Sequence, residues 1–205
     1  MTRRPVLVVM AKAPRLGGGK SRLAREIGAV EAWRVNRWLH RRTLQAASDI
    51  RWRTVLAVAP HAALSVQIPG VWPAGVARVS QGRGDLGARL RRAVRCLSGP
   101  VAVIGSDCPE TTSRDIAAAF RALAQAPAAI GLSPDGGFWI AAARRGSVLA
   151  QAFEGVRWSS VHAGADVRAR LPAHVVLRTL QDVDTLADLR AVRGRLSARA
   201  GGGRA

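Results

Sequence analysis

The stretch "VLVVMAKAPRLGGGKSRL", residues 6–23, joins an apolar run, a loop with three consecutive glycines and the start of a charged segment. A short apolar run followed by a loop and a helix is the unit from which parallel sheets are built. Glycines let a backbone approach a ligand closely, and the amino end of a helix attracts anions. The stretch therefore predicts a strand, an anion-binding loop and a helix, in that order.

The same alternation of short and long segments continues along the chain. β-Branched apolar runs predict strands at residues 6–10, 54–59, 76–80, 101–104, 128–132, 139–143 and 175–177. Helical periodicity predicts helices at residues 21–27, 30–47, 86–97, 115–124, 148–152, 160–171 and 186–196. This order favours a three-layer α/β/α fold around a mostly parallel, mixed sheet. We expect one domain over residues 1–197 and a disordered tail over residues 198–205.

Composition narrows the classes of protein to consider. The chain has 205 residues, 48% of them hydrophobic, and no apolar run reaches the roughly 18 residues that a membrane span needs. Its start lacks a signal-peptide pattern, so we expect a cytoplasmic protein. The net charge is +19, but only two of the 32 basic residues are lysine, and the arginines are spread along the chain. This distribution disfavours nucleic acid as the partner, and no oligomeric state is indicated.

Carboxylates are scarce and fall at the ends of apolar runs. The chain has 13 acidic residues. Seven of them lie in four short loops, namely Asp85, Asp107, Glu110, Asp135, Asp182, Asp184 and Asp188. Because ligands bind at the carboxyl ends of parallel strands, these loops should converge on one cleft. The clustering indicates metal or proton chemistry, while turn formation and helix capping explain part of it.

The glycine loop has two interpretations. Residues 19–21 fit the end of a Walker A loop, but Pro14 stands where its first glycine is required, and proline has no N–H to donate. A P-loop enzyme is therefore a minor alternative. The loop nevertheless contains the parts of another kind of anion site, namely Arg15, Gly17, Gly18, Gly19, Lys20 and Arg22.

The stretch "VAVIGSDCPETT", residues 101–112, is the second informative segment. Its buried run carries Asp107 to the carboxyl end of a strand, and Pro109 stiffens the turn that follows. Mg²⁺ prefers one or two carboxylates together with substrate phosphates. Asp107 is therefore a candidate metal ligand, with a structural role in the turn as the alternative.

Six motifs occur in order along the chain: "AKAPRLGGGKSRL", "QGRGDLGARL", "VIGSDCPETT", "SPDGGFWIAA", "RWSS" and "LQDVDTLADL". Together they resemble a large bacterial family of the nucleotide-diphospho-sugar transferase superfamily, usually labelled glycosyltransferase. That family is similar to the guanylyltransferases that build the molybdenum cofactor and activate phospholactate for the deazaflavin coenzyme. The resemblance spans residues 6–192 and implies a Rossmann-like GT-A fold.

The resemblance also implies roles for residues at the matching positions. It implies nucleotide-binding residues in two segments, Ala11, Lys12, Arg15, Gly17, Gly18, Gly19, Lys20 and Arg22 in the first, and Gln81, Gly82, Asp85 and Gly87 in the second. It implies that Asp107 and Asp184 bind a divalent ion, Mg²⁺ or Mn²⁺. A loop on the acceptor side is formed by Asp135, Gly136 and Gly137. The implied catalytic residues are Lys20, Asp107 and Asp135, the last binding the acceptor or acting as a base.

Two transfer reactions fit these residues. We expect nucleotidyl transfer from an NTP to a small phosphorylated acceptor, because the cations Lys20 and Arg22 suit a triphosphate. The single aspartate of "GSDCP", Asp107, also resembles the guanylyltransferases more than the Asp-x-Asp pattern usual in GT-A glycosyltransferases. Glycosyl transfer from an NDP-sugar to a small-molecule acceptor is the alternative. A non-catalytic protein that binds nucleic acid or nucleotides is less favoured, since Asp107 and Asp184 would repel phosphates unless a metal intervened.

Overall fold

A computed structural model describes residues 4–201. The strands are β1 (Val6–Lys12), β2 (Arg53–Ala59), β3 (Ala77–Ser80), β4 (Val101–Ile104), β5 (Ala128–Leu132), β6 (Phe138–Ala143) and β7 (His174–Leu177). The helices are α1 (Ser21–Ile27), α2 (Ala29–Ala47), α3 (Leu86–Val94), α4 (Ser113–Ala122), α5 (Gly146–Ala152), α6 (Ala163–Arg170) and α7 (Leu186–Gly201). Every predicted strand and helix is present, with ends shifted by a few residues.

The strands form one mixed sheet in the order β3-β2-β1-β4-β6-β5-β7. All neighbouring pairs are parallel except those of β6, which runs antiparallel to both β4 and β5. The reversal follows from the short connection between β5 and β6, because parallel strands need a long crossover and antiparallel ones do not. The predicted three-layer α/β/α fold with a mostly parallel, mixed sheet is confirmed.

Alternating side chains of the strands fill two cores, one on each face of the sheet. Leu7 of β1 packs in a cluster with Leu44 of α2 and Ile116 of α4. Its neighbour Val8 points to the opposite face and packs in a cluster with Leu90 of α3. A buried strand with apolar residues on both faces is expected where helices cover both sides of the sheet. The carboxyl ends of the parallel strands are thereby held at one rigid edge.

Helix α7 differs from the sequence prediction at its carboxyl end. It continues to Gly201, so residues 198–201, which the sequence assigned to the tail, are helical; residues 202–205 lie outside the described range. The helix is anchored by Glu110, whose carboxylate is 3% exposed and accepts hydrogen bonds from Arg195 at 2.7 Å. Arg199 lies 3.3 Å from the other oxygen of Glu110. Within residues 4–201, no helix combines the length and apolar character that crossing a bilayer requires.

Candidate active site

Three segments that are distant in sequence meet at the carboxyl edge of the sheet. The segment before α7 runs beside the ends of β5 and β4, where the N–H of Leu180 donates to the carbonyl of Leu132 at 3.3 Å. Three residues later, the N–H of Val183 donates to the carbonyl of Asp107 at 3.1 Å. These backbone bonds place Asp184 next to Asp107, across from the glycine loop that follows β1.

Lys20 joins the glycine loop to both aspartates. Its Nζ lies 2.9 Å from Oδ1 of Asp184 and 3.3 Å from Oδ2 of Asp107. The backbone of Lys20 is left-handed (φ 48°), as are those of Gly17 (φ 71°) and Gly19 (φ 81°), and this conformation turns the lysine inward at the start of α1. The structure thus brings together three of the residues that the sequence predicted for one site.

The Lys20 ammonium is stabilised in its charged form. Its side chain is only 9% exposed, and burial on its own would lower the pKa of Lys20. The negative charges of Asp107 and Asp184 outweigh burial, so the pKa of Lys20 lies above its usual value. Arg22 adds a second positive charge 3.6 Å from Asp184, but its side chain is 72% exposed and free to turn toward a ligand.

Asp182 is a site residue to which the sequence analysis assigned no role. Burial raises the pKa of Asp182 to about 7. Three neighbouring carboxylates add to this shift, those of Asp107, Asp135 and Asp184. The Lys20 ammonium opposes it. The signal in the sequence was the pair of aspartates in "QDVD", which placed both residues in one loop but did not distinguish their surroundings.

The loop 133–137 is shaped by contacts within the chain. Asp135 accepts a hydrogen bond from the N–H of Gly137 at 2.8 Å, which closes a tight turn. Gly136 has φ 88°, and a Cβ there would lie 2.0 Å from the carbonyl oxygen of Val161. The carbonyl of Gly136 accepts from the N–H of Gly164 at the start of α6, at 2.7 Å. The glycine pair therefore lets the loop dock closely on α6 while Asp135 lies within electrostatic reach of Asp182.

Gln81 is buried and supports the edge of the sheet. Its amide nitrogen donates to the carbonyls of Ala11 at 3.2 Å and Ala57 at 2.9 Å, so it ties the end of β3 to β1 and β2. Arg92 donates to the carbonyl of Gln81 at 2.7 Å and covers Gly82, where a Cβ would collide with the guanidinium. Both N–H groups of the Gln81 amide are already used in these hydrogen bonds. Only the amide oxygen of Gln81 is therefore available for the predicted contact with a nucleotide base.

Asp85 and Gly87 make contacts inside the chain as well. The carboxylate of Asp85 caps α3 by accepting from the N–H of Ala88 at 2.7 Å. Gly87 lies against Trp158, whose indole nitrogen would be 2.2 Å from a Cβ at that position. The structure therefore gives both residues a structural role, and their predicted contacts with the nucleotide remain predictions.

The outer side of the glycine loop borders an open groove of about 300 Å³ between the loop, α1 and α2. Trp33 also lines the groove and donates from its indole nitrogen to the carbonyl of Pro14 at 3.3 Å. The groove is lined by several predicted nucleotide-binding residues, namely Arg15, Gly17, Gly18 and Gly19. Lys12 is exposed at the carboxyl end of β1, and its predicted contact with the nucleotide remains a prediction.

A buried polar chain lies beneath the site. The indole nitrogen of Trp72 donates to Nδ1 of His40 at 3.1 Å, and Nε2 of His40 lies 3.2 Å from Oγ of Ser106. Burial lowers the pKa of His40 to about 4, the Lys20 ammonium acts in the same direction, and Asp107 opposes both. The imidazole is therefore neutral at physiological pH.

The residues at the Lys20 contact fit a divalent ion. Oxygens of Asp107 and Asp184 point at the same ammonium, so the two carboxylates already converge on one cation position. No group of three or more histidine, cysteine, aspartate or glutamate side chains is arranged to hold a metal within residues 4–201. A site of two carboxylates suits Mg²⁺, which takes its remaining ligands from substrate phosphates and water.

Known structures share this architecture. The chain is similar to a protein of Desulfovibrio desulfuricans G20 provisionally described as a nucleotide-diphospho-sugar transferase, with 25% identity, a TM-score of 0.82, and coverage of 94% of this chain and 87% of that one. It is also similar to the 4-diphosphocytidyl-2C-methyl-D-erythritol synthase of Anaerococcus prevotii DSM 20548 (10% identity, TM-score 0.58, 94% and 98% covered). A third similar structure is CMP:2-keto-3-deoxy-manno-octonic acid synthetase in complex with CTP (15% identity, TM-score 0.56, 96% and 100% covered).

These similarities confirm the superfamily that the sequence motifs indicated. The chain has the Rossmann-like fold of the nucleotide-diphospho-sugar transferases and related nucleotidyltransferases. Within that class it belongs to the DUF2064 family, described as an uncharacterized protein conserved in bacteria, whose model matches residues 43–160. No curated protein matches the sequence significantly.

Proposed function

We propose that the protein is a nucleotide-dependent transferase that requires Mg²⁺ or Mn²⁺ and moves a nucleotidyl group from an NTP to a small phosphorylated acceptor. The observation that carries this proposal is the contact of Lys20, at the end of a glycine loop, with both Asp107 and Asp184. A nucleotide phosphate and its divalent ion need this combination of backbone donors, a cation and carboxylates. The similar structures, which include a provisionally described nucleotide-diphospho-sugar transferase and a synthetase in complex with CTP, support the same class.

Each residue of the contact has a part in this reaction. The glycine loop and Arg22 bind the phosphates, and Lys20 exchanges a carboxylate partner for a phosphate oxygen when the nucleotide enters. Asp107 and Asp184 hold the ion, which when bound neutralises the negative charge that develops on phosphate oxygens. Asp135 orients the acceptor. Positioning by these fixed groups contributes much of the rate, because in-line phosphoryl transfer depends mainly on geometry and charge.

Glycosyl transfer from an NDP-sugar is the second candidate, and the charges beside the site favour it. A phosphorylated acceptor needs a cation, whereas an acceptor hydroxyl needs a carboxylate to take its proton. Asp182 is a carboxyl group close enough to both Asp107 and Asp135 to interact with them electrostatically, and the pKa of Asp182, raised to about 7, suits proton transfer. Arg157, in the "RWSS" motif, is paired with Asp166 through two side-chain hydrogen bonds of 2.9 and 2.7 Å.

The test combines binding with product analysis. A panel of NTPs and NDP-sugars is added to the wild type and to Asp107→Ala, each with and without Mg²⁺, and the shift in Tm is measured. A ligand that binds the native state raises Tm by an amount that grows with its concentration and its affinity. Stabilisation by one NTP only with Mg²⁺, followed by pyrophosphate release in the presence of phosphorylated acceptors, supports nucleotidyl transfer. Stabilisation by an NDP-sugar over its NTP, with release of the nucleoside diphosphate, overturns it in favour of glycosyl transfer. Unchanged activity in Asp107→Ala contradicts both.

A further inference from the structure

We propose that Ser106 is a nucleotide-binding residue whose hydroxyl proton is directed into the cleft by Trp72 and His40, so that it donates a hydrogen bond to a phosphate oxygen. This inference rests on the proposed function, because it assumes a bound nucleotide. It adds a neutral donor to the charged groups already described. It also gives the buried His40 a positioning role, although the histidine itself touches no ligand.

The first step is the tautomer of His40. Indole nitrogen is a hydrogen-bond donor only, so Nδ1 of His40 must accept from Trp72 at 3.1 Å and carries no proton. The neutral imidazole therefore has its proton on Nε2. His40 is 2% exposed and Trp72 3% exposed, so water does not compete for either nitrogen.

The second step is the orientation of Ser106. Because Nε2 carries the proton, His40 donates to Oγ of Ser106 at 3.2 Å, and the serine oxygen is the acceptor. A hydroxyl that accepts one bond still has its own proton to donate. Within the described part of the chain, no second partner of Oγ is found, and Ser106 is half-buried rather than open to bulk water. The hydroxyl proton of Ser106 is thus available to a group that enters the cleft.

The third step is location. Ser106 immediately precedes Asp107 at the carboxyl end of β4, which is the edge where the site lies. The His40 ring is close enough to Lys20 and Asp107 to be influenced by both charges. A phosphate held by Lys20 would therefore bring its oxygens, which accept hydrogen bonds, close to the hydroxyl of Ser106. Hydrogen bonds to charged oxygens are shorter and stronger than those between neutral groups.

The main test compares Ser106→Ala with Ser106→Thr. The probe is the NTP with Mg²⁺ that gives the largest Tm shift for the wild type, and its Kd is measured by titration calorimetry at a temperature where all variants are folded. We expect Ser106→Ala to bind about 10- to 100-fold more weakly, the loss expected for a hydrogen bond to a charged group. Ser106→Thr keeps the hydroxyl and should stay within about threefold of the wild type.

A second measurement isolates the role of the two buried rings. In ¹⁵N-histidine-labelled protein, NMR should show His40 protonated on Nε2 in the wild type. Trp72→Phe removes the donor to Nδ1, so we expect a mixture of tautomers and a nucleotide affinity between those of the wild type and Ser106→Ala. A proton found on Nδ1 in the wild type, or wild-type affinity in Ser106→Ala, overturns the inference alone. If no nucleotide binds the wild type, the proposed function fails and this inference fails with it.

Discussion

The Nζ of Lys20 lies 2.9 Å from Oδ1 of Asp184, although 164 positions separate the two residues in the sequence. The same nitrogen is 3.3 Å from Asp107. The ammonium thus stands where two carboxylates would otherwise hold a divalent ion. In the proposed function, binding of the ion therefore requires Lys20 to move, and a nucleotide phosphate replaces the carboxylates as the partner of the lysine.

Replacing Lys20 with methionine should tighten metal binding while weakening nucleotide binding. Without the ammonium, Asp107 and Asp184 repel each other, and a divalent ion relieves that repulsion. Hydrogen bonds to charged groups contribute about 1.5–3 kcal/mol, so the affinity for Mn²⁺ in the absence of nucleotide should rise at least about tenfold. Calorimetric titration with Mn²⁺ measures this affinity directly.

Arg22→Met is the matched control for that experiment. The Arg22 side chain is 72% exposed and lies 3.6 Å from Asp184, so its removal takes away a screened charge and leaves the cation position filled by Lys20. We expect a change in Mn²⁺ affinity of less than about threefold. Equal Mn²⁺ affinities for wild type and Lys20→Met would show that the lysine does not occupy the ion's position.

Asp182→Asn should stabilise the metal-free protein at high pH and leave it unchanged at low pH. The pKa of Asp182 is raised from its ordinary value of 3.8 to about 7 in the folded state. At a pH between these two values, the folded state therefore holds a proton on Asp182 that the unfolded state has lost. Its contribution to stability therefore falls as pH rises through this window. Melting curves in EDTA at pH 4 and pH 8 test the prediction. A lower Tm for Asp182→Asn at pH 8 would contradict it.

The strands and the meeting of Lys20, Asp107 and Asp184 at one edge of the sheet could be predicted from sequence, because both depend on local patterns. Apolar β-branched runs identify strands, and an aspartate shortly after such a run lies at the edge where parallel strands end, which is why the position of Asp107 could be predicted. The pairing of Glu110 with Arg195, 85 residues away, could not be predicted, because it depends on where α7 packs in the folded chain. The same holds for His40 and Ser106, which α2 and the loop after β4 bring together only in the folded chain.

Replacing Glu110 with glutamine should loosen the second half of α7. The Glu110 carboxylate is almost fully buried and is compensated by Arg195 and Arg199. Breaking a buried ion pair costs about 3–5 kcal/mol, and the lower end applies here because both arginines are about half-exposed. The expected signature is a lower Tm together with faster amide hydrogen exchange in residues 193–199.

The control for Glu110 is a surface pair of the same kind. Asp49 accepts two side-chain hydrogen bonds from Arg51, at 2.8 and 2.7 Å, on the exposed surface. Solvent screens the charges of such a surface pair, so Asp49→Asn should change Tm little and leave exchange in α7 as it was. If both variants lose the same stability, burial is not what makes the Glu110 contacts strong.

The buried imidazole of His40 should make the protein less stable in acid. The folded-state pKa of His40 is about 4, whereas its ordinary value is 6.5, so below pH 6.5 the unfolded state binds a proton that the folded state does not. The contribution of His40 to the free energy of unfolding has its full value above pH 6.5 and falls as pH decreases toward about 4. One pKa unit corresponds to 1.36 kcal/mol, so the total loss is about 3 kcal/mol.

His40→Gln separates this effect from the titration of the carboxylates. Glutamine can accept from Trp72 and donate to Ser106, as the imidazole does, but it does not titrate. Urea denaturation at pH 7, 6 and 5 gives the free energy of unfolding of each protein in the presence of EDTA. Over this range the wild type should lose more stability than His40→Gln, with the difference growing at each step down from pH 6.5.

Parallel pH profiles for the two proteins would mean that the imidazole is protonated in the folded state as readily as in the unfolded one. The hydrogen bond from Trp72 to Nδ1 would then not persist in solution, because a protonated Nδ1 cannot accept it.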